Sequence, residues 1–184
     1  MKPWLLLTFL SLIGSCSTTV TSIKVGDNKT LKEGEGFILL GIETNLDLKK
    51  IVIEGAQNIE LSSADIKAGT NYLLVDLKHG DYTIGQIHLN RYWRLHFEDD
   101  EEWAFRIEPG QINYVGHLEL NRRGYYHKRT RAELVNRASE AVNFLEDNYS
   151  ILMQNNTVVY GGPGQDFFLD FREEFLAKRM KNNE

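Results

Sequence analysis

The chain has 184 residues and a formal net charge of −5, with 42% hydrophobic and 26% charged residues. This length and balance predict one folded domain of ordinary size that is large enough to bury a proper core. A mildly acidic chain lacks the basic face that nucleic-acid binding needs, so we expect no nucleic-acid partner.

The first 15 residues have the pattern of an export signal. Lys2 precedes an apolar stretch over residues 4–13, and Gly14 and Ser15 stand directly before Cys16. The apolar stretch has about half of the ~20 residues that a membrane-spanning helix needs. The pattern therefore favours a cleaved leader over a membrane span.

Cys16 is the only cysteine of the chain, and its place after two small residues resembles the lipobox of bacterial lipoproteins. The resemblance implies a diacylglycerol on its sulfur and an acyl chain on the new amino terminus, which together anchor a protein stably in a membrane. Residues 1–15 are then the signal peptide and residues 16–35 the lipidated tether. In Gram-negative lipoproteins, an aspartate directly after the lipidated cysteine tends to retain the protein at the inner membrane. Ser17 occupies that position here, so the resemblance implies attachment to the outer membrane, facing the periplasm. An ordinary signal peptide with an incidental cysteine is the alternative.

Residues 36–121 contain short apolar or alternating segments separated by Gly, Asp and Asn turns. About eight such segments, with no helical pattern between them, predict an antiparallel β-sandwich and argue against a parallel sheet. Strict alternation predicts two sets of residues that each share one face, namely Trp93, Leu95 and Phe97, and Ile112, Tyr114, Gly116, Leu118 and Leu120.

The hydrophobic period changes in residues 122–184, which we predict to form two α-helices packed on the sandwich. Thr130 and Glu133 have the spacing of a capping box and predict a helix from about residue 131 to residue 147. A second helix carries Phe167, Phe171 and Phe175 at one-turn intervals, and we expect this aromatic stripe to be buried.

Two phrases of the sequence resemble known β-sandwich families. In residues 77–84, Gly80 stands two positions before Tyr82, as in carboxypeptidase-regulatory and transthyretin-like sandwiches. Residues 105–116, with a Pro-Gly turn before Tyr114 and Gly116, are similar to uncharacterised bacterial lipoproteins with Ig-like or transthyretin-like domains. The resemblance implies a sandwich and assigns no catalytic residue.

The motifs of common enzyme sites are absent from the sequence, so we expect no cofactor and no metal centre. His88 and His96, with Glu98 nearby, are part of a zinc ligand set. Without a fixed spacing, scattered surface histidines are the simpler interpretation. The five acids of residues 98–102 offer oxygen ligands for Ca²⁺, but they lack the spacing and glycine of a calcium loop. We interpret the run as a solvated hairpin tip.

A basic stretch with two tyrosines lies before the first predicted helix. It can bind an anionic partner, such as lipid headgroups, lipopolysaccharide phosphates or an acidic protein. The simpler interpretation is a connector that pairs with the acidic loop of the same chain. The residues of this patch are Arg122, Arg123, Lys128, Arg129 and Arg131.

These observations favour a non-enzymatic envelope lipoprotein that binds or scaffolds a protein or glycan of the envelope. The alternative is an envelope hydrolase that acts on glycan or peptide, with a site formed only in three dimensions. Its candidate residues are His117, Glu119 and the acids of residues 98–102. A third hypothesis is a pilus or secretion accessory protein whose open strand edge accepts a partner strand.

Overall fold

A computed structural model describes residues 17–27, 29–97, 100–123 and 129–181. The predicted signal peptide and Cys16 lie outside the described residues. The described part is mainly β, as predicted. Its strands are β1 (Thr18–Val20), β2 (Glu35–Thr44), β3 (Lys50–Gly55), β4 (Ile59–Ser62), β5 (Gly69–Lys78), β6 (Gly80–His88), β7 (Arg94–His96), β8 (Ala104–Ile107), β9 (Ile112–Arg123), β10 (Arg129–Val135) and β11 (Val158–Tyr160).

The helices are α1 (Ala138–Asn148), α2 (Ser150–Asn155) and α3 (Phe167–Lys181), with a short 3-10 turn at Glu101–Trp103. Within the described ranges, none of the helices is long and apolar enough to cross a bilayer.

The strands form two mixed sheets. The first has the order β1-β4-β3-β6, with β7 and β8 placed one after the other along the same edge of β6. The second has the order β10-β9-β2-β5, and β11 shares one edge of β9 with β10. The prediction of a purely antiparallel sandwich is wrong, because β1 runs parallel to β4, and both β2 and β11 run parallel to β9.

Two hydrophobic cores divide the molecule into three layers. The first core lies between the two sheets and includes Ile53, Ile84 and Leu118. The second lies between the other face of the second sheet and the helices, and includes Phe37 and Leu145. Because β2 is covered on both faces, its sequence is a nearly continuous apolar run and does not alternate.

The predicted helix start at Thr130 is wrong, because residues 129–135 form β10. Thr130 pairs with Arg122 of β9, and Glu133 pairs with Glu119. The backbone hydrogen bonds between β9 and β10 stabilise a strand here more than the local capping pattern stabilises a helix. Helix α1 begins at Ala138, where the Oδ1 atom of Asn136 accepts a hydrogen bond of 2.9 Å from the backbone N–H.

The predicted burial of the aromatic stripe on α3 is also wrong. Phe167, Phe171 and Phe175 are 75%, 68% and 54% exposed. The helix contacts the body through the opposite side, where Leu169 is buried in the second core.

A β-bulge breaks the alternation predicted for β9. Leu39 of β2 pairs with Tyr114, but the next residue, Leu40, pairs with Gly116, so that Val115 is an extra residue. Tyr114 therefore faces the helices, whereas Leu118 faces the first sheet. Gly116 has a φ of +119°, a conformation that favours glycine.

Part of the segment predicted as a tether, from Thr18 to Ile23, is folded against the body. The Thr18 N–H donates a hydrogen bond of 3.0 Å to the Asn58 carbonyl, and the Ile23 N–H donates one of 2.8 Å to the Leu74 carbonyl. The Tyr149 hydroxyl donates to the Ile23 carbonyl at 2.6 Å. This segment also covers part of the edge of β5, where an added strand would otherwise pair.

Candidate functional site

The β9–β10 hairpin gathers polar side chains on one of its faces. In the antiparallel register, Arg129 lies opposite Arg123, and Arg131 lies opposite Asn121. Alternate residues of a strand share a face, so these side chains point the same way. They line an open groove of about 350 Å³, called here the arginine groove, whose walls are Glu119, Asn121, Arg123, Arg129, Arg131 and Glu133.

The charges of the arginine groove are only partly balanced. Arg131 forms an ion pair of 2.5 Å with Glu133, and Glu119 pairs with Arg137 below the groove. Among the described residues, Arg123 and Arg129 have no acidic partner, although they are direct cross-strand neighbours. Like charges in that position repel each other. An anion bound between the two guanidinium groups relieves the repulsion, and carboxylate or phosphate fits their planar donor geometry.

The structure brings together three of the five residues of the predicted basic patch. Arg123, Arg129 and Arg131 line the groove, whereas Lys128 lies outside the described residues. Arg122 is on the other face of the hairpin, and its backbone N–H donates to Asn45 Oδ1 at 3.0 Å. Its Nε atom is buried and has no hydrogen-bond partner among the described residues.

Beneath the groove, the β9 bulge places His117 on the helix-covered face of the sheet. His117 is fully buried, with its Nδ1 atom 2.8 Å from the Tyr114 hydroxyl and its Nε2 atom 3.1 Å from the Tyr72 hydroxyl. Because the Arg137 backbone N–H donates to the Tyr114 oxygen at 2.7 Å, we assign the Tyr114 proton to the bond with Nδ1. Nε2 then carries the imidazole hydrogen and donates to Tyr72.

Burial lowers the pKa of His117 to about 4, and the nearby Arg137 guanidinium contributes in the same direction. The imidazole is therefore neutral near pH 7. Burial also raises the pKa of Tyr114 and of Tyr72, so both phenols keep their protons. The three rings form a fixed, uncharged hydrogen-bond chain between β5, β9 and the start of α1.

Arg137 connects this chain to the groove. Its guanidinium group forms an ion pair with Glu119, another of 2.9 Å with Glu43, and a longer contact of 3.6 Å with Glu140. Glu119 thus belongs to the groove wall and to the ion pairs that hold the beginning of α1.

His117 and Glu119, two of the residues considered for a hydrolase, do not form a catalytic pair in this arrangement. Both nitrogen atoms of His117 are occupied by tyrosine hydroxyls, and its ring has no exposed surface. The Glu119 carboxylate is bound by Arg137. A general base needs free access to the proton it removes, which the buried imidazole does not have, and the two groups do not contact each other as an acid–base pair.

The candidate metal ligands are not clustered in the described part of the chain, which contains no group of three or more metal-ligating side chains. His88 Nε2 lies 3.1 Å from Gln86 Oε1, and Glu98 lies outside the described residues. Asp99 also lies outside the described residues. The strands on either side of the acidic run, β7 and β8, pair with β6 and not with each other, so they do not form the predicted hairpin. Asp100 instead caps the 3-10 turn by accepting a hydrogen bond of 3.1 Å from the Glu102 N–H.

Sequence reasoning missed an exposed aromatic pair between β6 and β7. Tyr92 and Trp93 are 82% and 66% exposed, and Asn90 Oδ1 fixes their turn by accepting hydrogen bonds from both backbone N–H groups. The alternating pattern predicted that Trp93 shares a strand face with Leu95 and Phe97, but Trp93 precedes strand β7. The Asn-Arg turn was the available signal that the alternation ends there.

Comparisons with protein-family models, curated proteins and solved structures found no match for this chain. The fold and the site define a mainly β protein of three layers with a cationic groove at a hairpin. The lipoprotein and sandwich-family resemblances stay predictions.

Proposed function

We propose that the protein is a lipid-anchored, non-enzymatic binding module of the bacterial envelope, and that the arginine groove binds an anionic partner. The observation that carries the proposal is the direct pairing of Arg123 with Arg129, without an acidic neighbour among the described residues. Uncompensated like charges destabilise a hairpin, so their presence on one wall of a groove is better explained by ligand binding than by stability.

The partner is a protein or glycan of the envelope that carries a carboxylate or phosphate group. Two guanidinium groups with parallel N–H donors match the paired oxygen atoms of either group. The walls add a neutral amide, Asn121, and two carboxylates, Glu119 and Glu133, which accept hydrogen bonds from hydroxyl or amide groups of the same ligand.

According to the strand directions, the start of β1 and the arginine groove lie at opposite ends of the molecule. The start of β1 is beside the start of β4, and the first sheet continues from there to the start of β6. A single residue joins β5 to β6, so the start of β2, which pairs with the end of β5, is at this end as well. Strand β9 runs parallel to β2 and carries the groove at its far end. A lipid on Cys16 would therefore leave the groove on the side away from the membrane.

Capture of envelope components tests the binding function. The full chain with Arg123→Ser and Arg129→Ser is compared with the wild type as bait in detergent-solubilised envelopes. The matched control is Arg91→Ser with Arg94→Ser, which removes the same charge from an exposed site outside the groove. Charge-assisted hydrogen bonds are strong, so we expect the groove variant to retain at most about a tenth of the bound partner.

The control variant should capture the same partner as the wild type, and capture should weaken as salt is raised. Equal capture by the groove variant and the wild type would show that the arginine groove does not bind the partner. Labelling with radioactive palmitate tests the anchor separately, because the label should enter the wild type and be absent from Cys16→Ser.

A further inference from the structure

Helix α3 exposes a stripe of four aromatic side chains. Phe167, Phe171 and Phe175 follow one another at intervals of four residues, and Phe168, which is 43% exposed, lies at the margin of the stripe. The rings of Phe171 and Phe175 stack with their centroids 6.5 Å apart. Single exposed apolar residues are ordinary, but a contiguous stripe on a folded surface marks a contact site.

The helix is fixed to the body, so the stripe is not a loose end that folds back. Asp166 accepts hydrogen bonds from the Leu169 N–H at 2.5 Å and from Asn136 Nδ2 at 2.6 Å. Arg172 forms an ion pair of 3.2 Å with Glu146 of α1. These contacts hold the buried side of α3 against the helix layer and leave the phenylalanines outside.

The charges of α3 are separated along its axis. The first half carries Asp170, Glu173 and Glu174 and one cation, Arg172, which is already paired with Glu146 of α1. The last turn carries Lys178, Arg179 and Lys181. When two such helices pack antiparallel, the acidic half of each lies beside the basic half of the other. When they pack parallel, like charges meet.

We propose that α3 is a self-association surface, where the aromatic stripe packs antiparallel on the α3 helix of a second copy. A two-fold symmetric contact of this kind uses the same surface on both copies, and this surface is complementary to itself in charge and in hydrophobicity. The inference does not depend on the lipid anchor or on the arginine groove.

The available area fits a dimer of modest affinity. Taking roughly 200 Å² for a whole phenylalanine side chain, the exposed fractions of the four phenylalanines offer roughly 500 Å² per copy. Two copies would bury roughly 1,000 Å², which is at the lower limit of specific protein interfaces. A lipid surface suits the helix less well, because Asp170 and Glu174, which lie beside the stripe, would face anionic headgroups.

Cysteine crosslinking in intact cells tests this geometry on the full chain. The wild type, with Cys16 as its only cysteine, gives the background. Phe175→Cys should form a disulfide-linked dimer when an oxidant is added, because Phe175 is next to residue 174, the midpoint of an antiparallel contact in which Asp170 lies opposite Lys178. Glu173→Cys is the matched control, because Glu173 is equally close to that midpoint and partly exposed but lies roughly 160° around the helix from Phe175.

The direction of packing is tested with two differently tagged copies. Asp170→Cys in one copy and Lys178→Cys in the other should crosslink with each other in preference to either same-position pair. Reversing Lys178 and Lys181 to Glu should reduce the dimer formed through Phe175→Cys several-fold. Reversing Asp170 and Glu174 to Lys in that same chain should restore it.

Dimer formation by Phe175→Cys at the level of Glu173→Cys would overturn the proposal. Preference for the same-position pairs would overturn the antiparallel arrangement on which it is built. An unchanged dimer after reversal of Lys178 and Lys181 would overturn the role assigned to the charges.

Discussion

His117 shows how a polar side chain is accommodated in the core of this protein. A buried imidazole without partners costs free energy, but here each ring nitrogen meets a tyrosine hydroxyl. The ring lies against Gly41 of β2, where a Cβ atom would come within 2.3 Å of it. Gly41 and His117 are also register partners in adjacent parallel strands. The glycine is therefore required by the histidine.

Gly41→Ala tests this requirement. The new methyl group must displace the imidazole and weaken both tyrosine hydrogen bonds, so the free energy of unfolding should fall by about 2 kcal/mol or more. Urea denaturation measures the loss. Gly85→Ala is the control within β6, because its Cβ would meet only the movable carboxylate end of Glu54. In a His117→Ala background, Gly41→Ala should cost much less, and an undiminished cost there would contradict the contact.

The depressed pKa of His117 predicts a specific loss of stability in acid. Its pKa is about 4 in the folded protein, against 6.5 for an imidazole exposed to water. As the pH falls between these values, the unfolded chain binds a proton that the folded chain does not, so the folded state loses stability. By about pH 4, the loss in the free energy of unfolding that is due to this residue amounts to about 3 kcal/mol.

Urea denaturation of the wild type and His117→Gln across this pH range isolates the contribution. The amide of the variant stays neutral, and all other titrating groups, including Glu119 and Glu140 beside the ring, are shared. The stability of the wild type should therefore fall more steeply with acid than that of the variant. Parallel curves would show that His117 protonates equally in both states.

Among the elements, those specified by local chemistry were predictable from the sequence. The apolar run of β2 was expected to be a strand, and Gly80 and Gly110 mark real turns with positive φ values of +139° and +71°. The apolar positions of α1, such as Ala141 and Leu145, are buried as its periodicity indicated.

Elements that depend on a distant partner were not predictable. Strand β10 exists because β9 offers it an edge, and a local capping pattern gave no sign of that edge. The bulge at Gly116 reverses which residues face the helices, and it decides that His117 joins Tyr114. The basic patch was recognisable as a stretch of sequence, but the separation of Arg122 from Arg123 requires the two-residue period of a strand.

Asn136→Ala distinguishes the observed start of α1 from the predicted one. The substitution removes the hydrogen bond to the Ala138 N–H and the bond of 2.6 Å to Asp166, so we expect a loss of about 1–2 kcal/mol in the free energy of unfolding. Thr130→Ala is the matched control, since it would remove the cap of a helix that begins at residue 131. In a strand it should cost no more than about 0.5 kcal/mol. Equal losses from both substitutions would contradict this assignment.

At the scale of the whole molecule, the folded N-terminal segment changes what a lipid on Cys16 would do. Only Ser17 lies between Cys16 and Thr18, the first residue of β1, and two extended residue steps span at most about 7 Å. A lipidated Cys16 would thus hold the edge formed by β1 and β4 close to the bilayer. The predicted tether of 20 residues would instead allow the body to move freely above the membrane.

Fluorescence quenching by lipid-borne spin labels measures this difference on the lipidated protein in vesicles. A fluorophore is attached to Ala56→Cys, at the end of the sheets where β1 begins, or to Arg91→Cys, in the turn at the opposite end; both residues are exposed. Because Cys16 is consumed by the lipid, the new cysteine is the only reactive thiol. We expect strong quenching from Ala56→Cys and little from Arg91→Cys, because spin labels quench only at short range. Equal weak quenching at both positions would show that the body stands away from the bilayer, which requires β1 to detach from β4.

A Gly-Ser linker inserted between Cys16 and Ser17 should abolish the difference in quenching between Ala56→Cys and Arg91→Cys. A flexible chain no longer fixes which end of the body faces the membrane.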